Sequence, residues 1–270
     1  MPISISSLQN SRIKDVIKLA KHNERDQRQV TVVEGERECS RALAAGIIPV
    51  ETYICPPLLS DEGEQLARRL YQLDQQRRTM LMEVTPEVFA KIAYRGDSGG
   101  ILLVIPYLTH QLSNFTPPEP AFVTIIEGVE KPGNLGAILR TADAAGVHAD
   151  MVTAGVTDIH NPNVIRASLG ALFTLPVFES PVEKTIQWLR EHNIQIVAAS
   201  PEATHLYTQC DYTLPSALVM GSEAHGLTRP WREAADSLVT IPMFGVVDSL
   251  NLAASTAIML YEVVRQRNQQ

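Results

Sequence analysis

The sequence predicts an α/β protein in two parts, and three observations carry that prediction. Short apolar or β-branched runs alternate with helical patterns along the chain, from Val30–Val33 to Leu252–Arg267. The alternation breaks once, at the aperiodic stretch 106–120 with Pro106, Pro117, Pro118 and Pro120. Beyond that break the strand runs are continuous and apolar, as strands covered on both faces of a mostly parallel sheet should be. The expected organisation is a small α/β domain over residues 1–105, a linker over 106–120 and a second α/β domain over 121–270.

In the first domain, Ser11 opens a helix to His22 with Ile13, Val16, Ile17 and Ala20 on one face. The polar stretch Asn23–Gln29 reads as a loop and Val30–Val33 as a strand. Gly35 opens a helix to Ala45, and Gly46 sits where a helix ends in a left-handed residue. Thr52–Cys55 is a strand stopped by Pro56 and Pro57, Glu62–Leu73 a helix and Met80–Val84 a strand. Thr85 and Pro86 are the N-cap and first residue of another helix, and Ile101–Ile105 is the last strand. The G-D-S-G-G of Gly96–Gly100 imitates a serine-protease nucleophile. Only His22 precedes Ser98, however, and the fold class is wrong, so it reads as a Gly-rich loop.

In the second domain the expected strands are Phe122–Ile126, Asp150–Val152, Gln195–Ala198, Ala217–Met220 and Leu238–Ile241. The expected helices are Gly136–Ala145, Pro162–Leu172, Val182–His192, Pro230–Ala235 and Leu252–Arg267, the last with Ser249 as a plausible N-cap.

The chain has 270 residues, 45% of them hydrophobic, which is ample for a buried core. No run of 18 uncharged apolar residues is present and the N-terminus lacks a signal pattern, so a cytoplasmic protein without a membrane span is expected. Three cysteines, Cys39, Cys55 and Cys210, fit a reducing compartment, and no Cys or His spacing suggests a metal site. The net charge of −7 argues weakly against nucleic acid, but it is unevenly spread. Residues 1–105 carry 14 basic and 14 acidic side chains, and all of the excess lies beyond them. Within the first third, Arg12, Lys14, Lys18, Lys21, Arg25 and Arg28 face only Asp15, Glu24 and Asp26. That basic stretch is either a solvated helix face or an RNA contact.

Three strand-to-loop transitions in the second domain share a grammar. An apolar strand ends, glycine or proline turns the chain, and backbone groups are left bare where α/β proteins hold ligands. They read N-x-G-A-x-x-R-T-A at Asn134–Ala142, G-S-E-x-x-G at Gly221–Gly226 and I-P-M-x-G-x-x-x-S-L-N-x-A at Ile241–Ala253. In order and spacing they resemble the signatures of the SpoU (TrmH-like) RNA 2′-O-ribose methyltransferases of the SPOUT superfamily. A weaker match, V-V-E-G-E-R at Val32–Arg37, extends the resemblance into the N-terminal third.

The resemblance implies a trefoil-knotted domain binding S-adenosyl-L-methionine (AdoMet), preceded by a small RNA-binding α/β domain, and a homodimer whose knotted domains share the active site. It implies that Ala199, Gly221, Ser222, Glu223, Ile241, Pro242, Met243 and Leu250 border the cofactor, and that Asn134, Arg140, Glu223, Ser249 and Asn251 form a catalytic cluster. It assigns Arg166, in R-A-S-L-G-A, to RNA or dimer contact, although a surface ion pair fits as well. On local grounds Asn134 could merely cap its helix, and Ser249 and Asn251 could merely cap the last one. Arg140, in a helix of small residues, either snorkels or serves a site. A guanidinium rarely loses a proton, so clamping a phosphate and stabilising the developing alkoxide suits Arg140 better than acting as a base.

The expected activity is AdoMet-dependent 2′-O-methylation of a structured RNA. Ribosomal RNA is preferred to tRNA because a separate N-terminal domain is present. A non-catalytic RNA-binding module and a nucleotide-dependent oxidoreductase are the rival readings.

Overall fold

The computed structural model describes residues 2–94 and 98–268. By internal contacts the chain divides into two compact units, Met1–Leu108 with Ile159–Phe173, and Thr109–Asp158 with Thr174–Gln270.

The first unit is built on a sheet of order β1 (Ile3–Ile5), β4 (Met80–Val84), β3 (Glu51–Ile54), β5 (Ile101–Pro106) and β2 (Val30–Glu34). β1, β4 and β3 run parallel, and β5 lies antiparallel to both β3 and β2. Helices α1 (Ser11–Lys18), α2 (His22–Arg28), α3 (Glu36–Ala44), α4 (Asp61–Gln75) and α5 (Pro86–Ile92) surround it. The apolar faces of α1 and α5, with Ile13, Val16, Val88 and Phe89, bury against Tyr53, Met82, Leu102 and Val104 of the sheet. Thr85 caps α5 as expected, its hydroxyl accepting from Val88 N at 3.4 Å. Gly99 and Gly100 lead into β5 with left-handed φ of +63° and +70°, while Gly96 and Asp97 of the G-D-S-G-G motif lie outside the described residues.

Two local expectations change. Asn10, not Ser11, caps α1, accepting from Arg12 N at 2.9 Å. The stretch expected to be a loop contains α2, and Arg25 explains why. Arg25 is 1% exposed, and its guanidinium donates to the Leu19 and Ala20 carbonyls at 2.9 and 3.0 Å. Those carbonyls lie just past the last turn of α1, where intrahelical donors run out. Arg25 therefore ties α2 to α1 and is not an exposed RNA contact; its charge is spent inside the unit.

The segment 159–173, expected within the second domain, packs with the first unit. The Thr31 hydroxyl donates to His160 O at 2.5 Å, Arg41 donates to Leu169 O at 2.8 Å, and the His160 ring stacks on Tyr107. Its helix α7 (Pro162–Ala167) stops short of the expected Leu172 because Leu169 and Gly170 take positive φ.

The second unit is a sheet of order β10 (His205–Leu206), β12 (Ser237–Thr240), β9 (Gln195–Ala199), β11 (Ser216–Met220), β6 (Phe122–Glu127), β7 (Ala149–Thr153) and β8 (Val177–Glu179), with every neighbouring pair parallel. Helices α6 (Pro132–Ala145), α8 (Val182–Glu191), α9 (Arg229–Ala234) and α10 (Leu252–Arg267) complete it. Val123, Ile125, Met151, Ile196 and Val219 bury against Trp188 of α8 and Trp231 of α9, and α6 packs along α10. β8 and β10, of three and two residues, are too short to register as periodic runs. Among the described residues, no helix is long and apolar enough to cross a membrane.

Candidate active site

Strand register brings the three predicted loops together. Met220 of β11 stands opposite Ile126 of β6 on one side and Ala199 of β9 on the other, and Ala199 stands opposite Val239 of β12. In a parallel sheet these residues mark one carboxyl edge, so the loops after β6, β9, β11 and β12 leave it at the same level.

A cleft opens at that edge. Of the residues expected to border a cofactor, Ala199, Gly221, Ser222, Glu223, Ile241, Met243 and Leu250 line it, and Ser249 joins them. Pro242 does not. It lies exposed between two inward residues, because side chains alternate sides along an extended stretch. Ser200, Pro201, Thr240, Asp248 and Ser255 also line the cleft and were not anticipated. Ser200, Thr240 and Asp248 adjoin anticipated positions, Pro201 lies two residues from Ala199, and Ser255 lies one helical turn beyond Asn251.

Gly221 is required by close approach. A Cβ there would come within 2.6 Å of both Gly226 O and Leu227 N. The turn beyond it closes on itself, with Ser222 N donating to Gly226 O (3.2 Å) and Gly226 N to Ser222 O (3.0 Å). His225 N also donates to Ser222 Oγ at 3.0 Å, and Gly226 supplies the left-handed φ of +64°. The folded turn presents Glu223.

Glu223 is the hub of a polar cluster. Its Oε1 accepts from Asn134 Nδ2 and Asn251 Nδ2, both at 2.9 Å, and from Leu252 N at 3.2 Å. Its Oε2 accepts from Lys131 Nζ at 2.8 Å. Asn251 Nδ2 also donates to Asn134 Oδ1 at 3.1 Å. A carboxylate only accepts, so the carboxamide nitrogens of both asparagines must face it. Asn251 Oδ1, turned the other way, caps α10 by accepting from Ala253 N and Ala254 N at 3.0 and 3.3 Å. The cap of the last helix is therefore Asn251 rather than Ser249. Asn134 does not cap α6, whose N-cap position is Lys131; its amide is given to Glu223.

The hydrogen bond from Lys131, followed by that from Leu252 N–H, holds the Glu223 carboxyl below its usual range, and Glu223 in turn raises the Lys131 ammonium. With both oxygens occupied, Glu223 serves as an anchor for the asparagines. A second recess, lined among others by Gly128, Lys131, Asn134 and Ala224, shares Glu223 and Leu252 with the cleft, so these two residues stand between the two cavities.

Arg140 stands apart. It is exposed, six residues along α6 from Asn134 and so about 240° around the axis. It lines neither cavity. In the first unit Lys14, Lys18, Lys21 and Arg28 are exposed, with Lys18 paired to Asp15 at 2.8 Å. Arg12 is held by Glu51 at 3.2 Å. Arg166 is half-buried and donates to Asn163 Oδ1 at 2.9 Å. No group of three or more His, Cys, Asp or Glu among the described residues is arranged to hold a metal.

Comparison with known proteins agrees with this geometry. The SpoU rRNA Methylase family matches residues 121–261, and the MRM3-like substrate binding domain matches residues 10–103. The 23S rRNA (guanosine-2′-O-)-methyltransferase RlmB of Yersinia pestis is 43% identical over 150 residues, covering 55% of this chain and 61% of that protein. The chain thus spans about three-fifths of the RlmB proteins it matches. An uncharacterised tRNA/rRNA methyltransferase of Synechocystis is 32% identical over 98% of this chain and 94% of its own length. The crystal structure of an AdoMet-bound rRNA methyltransferase from Sinorhizobium meliloti superposes with a TM-score of 0.88 at 31% identity, covering 97% of each chain. With its motifs gathered at one carboxyl edge and the family pattern spanning the domain that carries them, this chain belongs to the SpoU rRNA methylase family.

Proposed function

We propose that this protein transfers a methyl group from AdoMet to a ribose 2′-OH of ribosomal RNA. The observation that carries the reading is Glu223, which lines both the cleft and the neighbouring recess and fixes the carboxamides of Asn134 and Asn251. Ile241, Met243 and Leu250 give the cleft apolar walls suited to a nucleoside-bearing cofactor such as AdoMet. Bound there, it would supply an electrophilic methyl on a good leaving group.

The chain's own task is then positioning. Glu223 fixes Asn134 and Asn251, and holding a nucleophile in line is worth several kcal/mol, of the order of 7–11 in the best cases. Glu223 stays an anion with occupied oxygens at neutral pH, so it does not take the 2′-OH proton. Arg140 clamps a phosphate and stabilises the developing alkoxide without losing a proton. Arg140 lies outside the cleft of its own chain, so in a cytoplasmic homodimer it acts on the partner's site. The first unit selects the RNA through Lys14, Lys18, Lys21 and Arg28. The 2′-OH makes RNA, not DNA, the substrate.

The test is transfer of tritiated methyl from AdoMet to total RNA, with the labelled nucleotide then mapped. Label in ribosomal RNA on a ribose 2′-O is the expected result. Absence of label, together with no thermal stabilisation by AdoMet, overturns the proposal.

A further inference from the structure

Helix α4 of the first unit lies on the opposite sheet face from α1. Met82 of β4 belongs to the core under α1 and α5, and the next residue, Glu83, accepts from the Tyr71 hydroxyl of α4 at 2.7 Å. The inward side of α4 is apolar, with Leu66, Ala67 and Leu70 buried. Its outward side is of one kind. Every exposed side chain from Gln65 to Arg78 is glutamine or arginine, four of each. Spacings of three and four residues place those within the helix on a single face. The one acid of the stretch, Asp74, is turned away from it, and its Oδ1 accepts from Leu81 N at 3.1 Å.

The arginines are Arg68, Arg69, Arg77 and Arg78, and among the described residues none has a side-chain hydrogen bond or ion pair. The basic residues of α1 and α2 differ, since Arg12 and Lys18 are paired with acids and Arg25 is buried. Arg69 also lines a groove between α3 and α4. The other two arginines there are already held, Arg37 by Glu38 at 3.3 Å and Arg41 by Leu169 O at 2.8 Å. A solvated helix face ordinarily mixes charges of both signs, whereas this one exposes four cations and no acid.

We propose that the arginine–glutamine face of α4 binds the phosphodiester backbone of the RNA substrate, in addition to the basic residues of α1 and α2; this rests on the methyltransferase reading above. A guanidinium is always charged and its planar fork matches phosphate oxygens two at a time. Glutamine amides bond to phosphate and sugar oxygens between such forks. From Gln65 to Gln76 the chain rises about 16 Å, which spans several phosphates of one strand. Contacts of this kind position the RNA and carry no base identity, so this surface places the substrate without choosing the nucleotide. A second copy of the chain is the less fitting occupant. A stable protein interface has a fully buried apolar core, and the stretch from Gln65 to Arg78 exposes no apolar side chain.

The test is binding of the full chain, without AdoMet, to a fluorescently labelled stem-loop RNA, followed by anisotropy over a range of salt. The variant R68Q/R69Q/R77Q/R78Q should lower the slope of log K against log salt by about 3, at roughly 0.7–0.9 for each phosphate contact. It should weaken binding on the order of 10³-fold at about 0.1 M salt. Arg77→Gln alone, past the end of α4 where helix packing is not at stake, should lower the slope by roughly 0.7–0.9. The corresponding four-lysine variant keeps the charge and should keep most of the slope, losing only the bidentate geometry. The Kd for AdoMet should not move in any of them. A wild-type slope in the four-glutamine variant overturns the proposal, as does absence of RNA binding by wild type. So does a lower oligomeric state of that variant by light scattering, which would make α4 an interface between copies. If wild type binds RNA and the variants shift the slope as expected, yet no methyl is transferred, the enzyme reading fails and this one stands.

Discussion

Replacing Glu223 tests whether the cluster works by positioning or by proton transfer, because Gln and Ala remove different things. Gln has one acceptor and one donor at the end of its side chain. Turned with its oxygen where Oε1 stands, it keeps the three donors Asn134 Nδ2, Asn251 Nδ2 and Leu252 N, and sets its own NH2 against Lys131 Nζ, 2.8 Å from Oε2. The Lys131 side chain is 68% exposed and moves into water at little cost. The opposite orientation would face three donors with a fourth. Glu223→Gln therefore keeps both asparagines in place, and kcat should fall by no more than about tenfold, one charge-assisted contact having been lost. Glu223→Ala leaves the two carboxamides and Leu252 N–H without their acceptor, and misplacing positioning groups costs on the order of 10²-fold or more. Lys131→Met should resemble Glu223→Gln and add little to it, since both remove the same pair. The assay is single-turnover methyl transfer at saturating AdoMet. The Glu223 carboxyl is held below its usual range, so its charge persists above the ordinary carboxylate pKa and is lost only as pH falls beneath it. From about pH 5 to 8 Glu223 should therefore contribute no inflection. If Glu223→Gln proves as damaging as Glu223→Ala, or if an inflection near neutrality disappears in it, the charge itself takes part in proton removal and the positioning argument fails.

Three further outcomes follow from other parts of the molecule. If Arg140 serves the partner's cleft, co-assembling Arg140→Ala with Asn134→Ala chains places both lesions in one site of each mixed dimer. The other site is left intact, so transfer activity reappears from two inactive parents; a mixture that stays inactive refutes action across the dimer. Arg25→Ala should lower unfolding stability by about 2–4 kcal/mol in urea titration, since it strands the Leu19 and Ala20 carbonyls and opens a cavity. Lys21→Ala at the exposed neighbour should be neutral, and equal effects would refute the buried role. Asp150 is fully buried on β7, and burial pushes its carboxyl well above the usual range. Its folded pKa exceeds its unfolded one, so stability is lost as pH rises from about 4 through that raised value. Asp150→Asn should match wild type near pH 3, exceed its Tm at pH 8 and show a flatter Tm profile between; parallel profiles refute the assignment.

What could be read from the sequence, and what could not, follows from the range of the interactions involved. The start of helix α5 and both ends of strand β4 fall where expected because their signals are local: Thr85-Pro86 at a helix start, and an apolar run ended by it. The cleft was legible for a related reason. Each lining motif directly follows a strand, and in a parallel sheet the register alone brings strand ends level. Helix α2 was not legible, because its one buried side chain is Arg25, held by hydrogen bonds that leave no apolar period to detect. The cap of α10 was ambiguous, since Ser249 and Asn251 both satisfy the local grammar. The choice falls to Asn251 because its nitrogen meets Glu223, 28 residues away in sequence, leaving its oxygen for the helix. Lys131 was missed entirely, for its partner lies 92 residues off and nothing in K-P-G-N announces a bond. A carboxylate that collects donors from the first turn of α6, from Lys131 just ahead of it and from the start of α10 belongs to no single segment. Residue types in motifs can name Asn134, Glu223 and Asn251 as members of a site. Only the directions of their hydrogen bonds distinguish an anchoring carboxylate from a catalytic base, and those directions are set by the packing of α6 along α10.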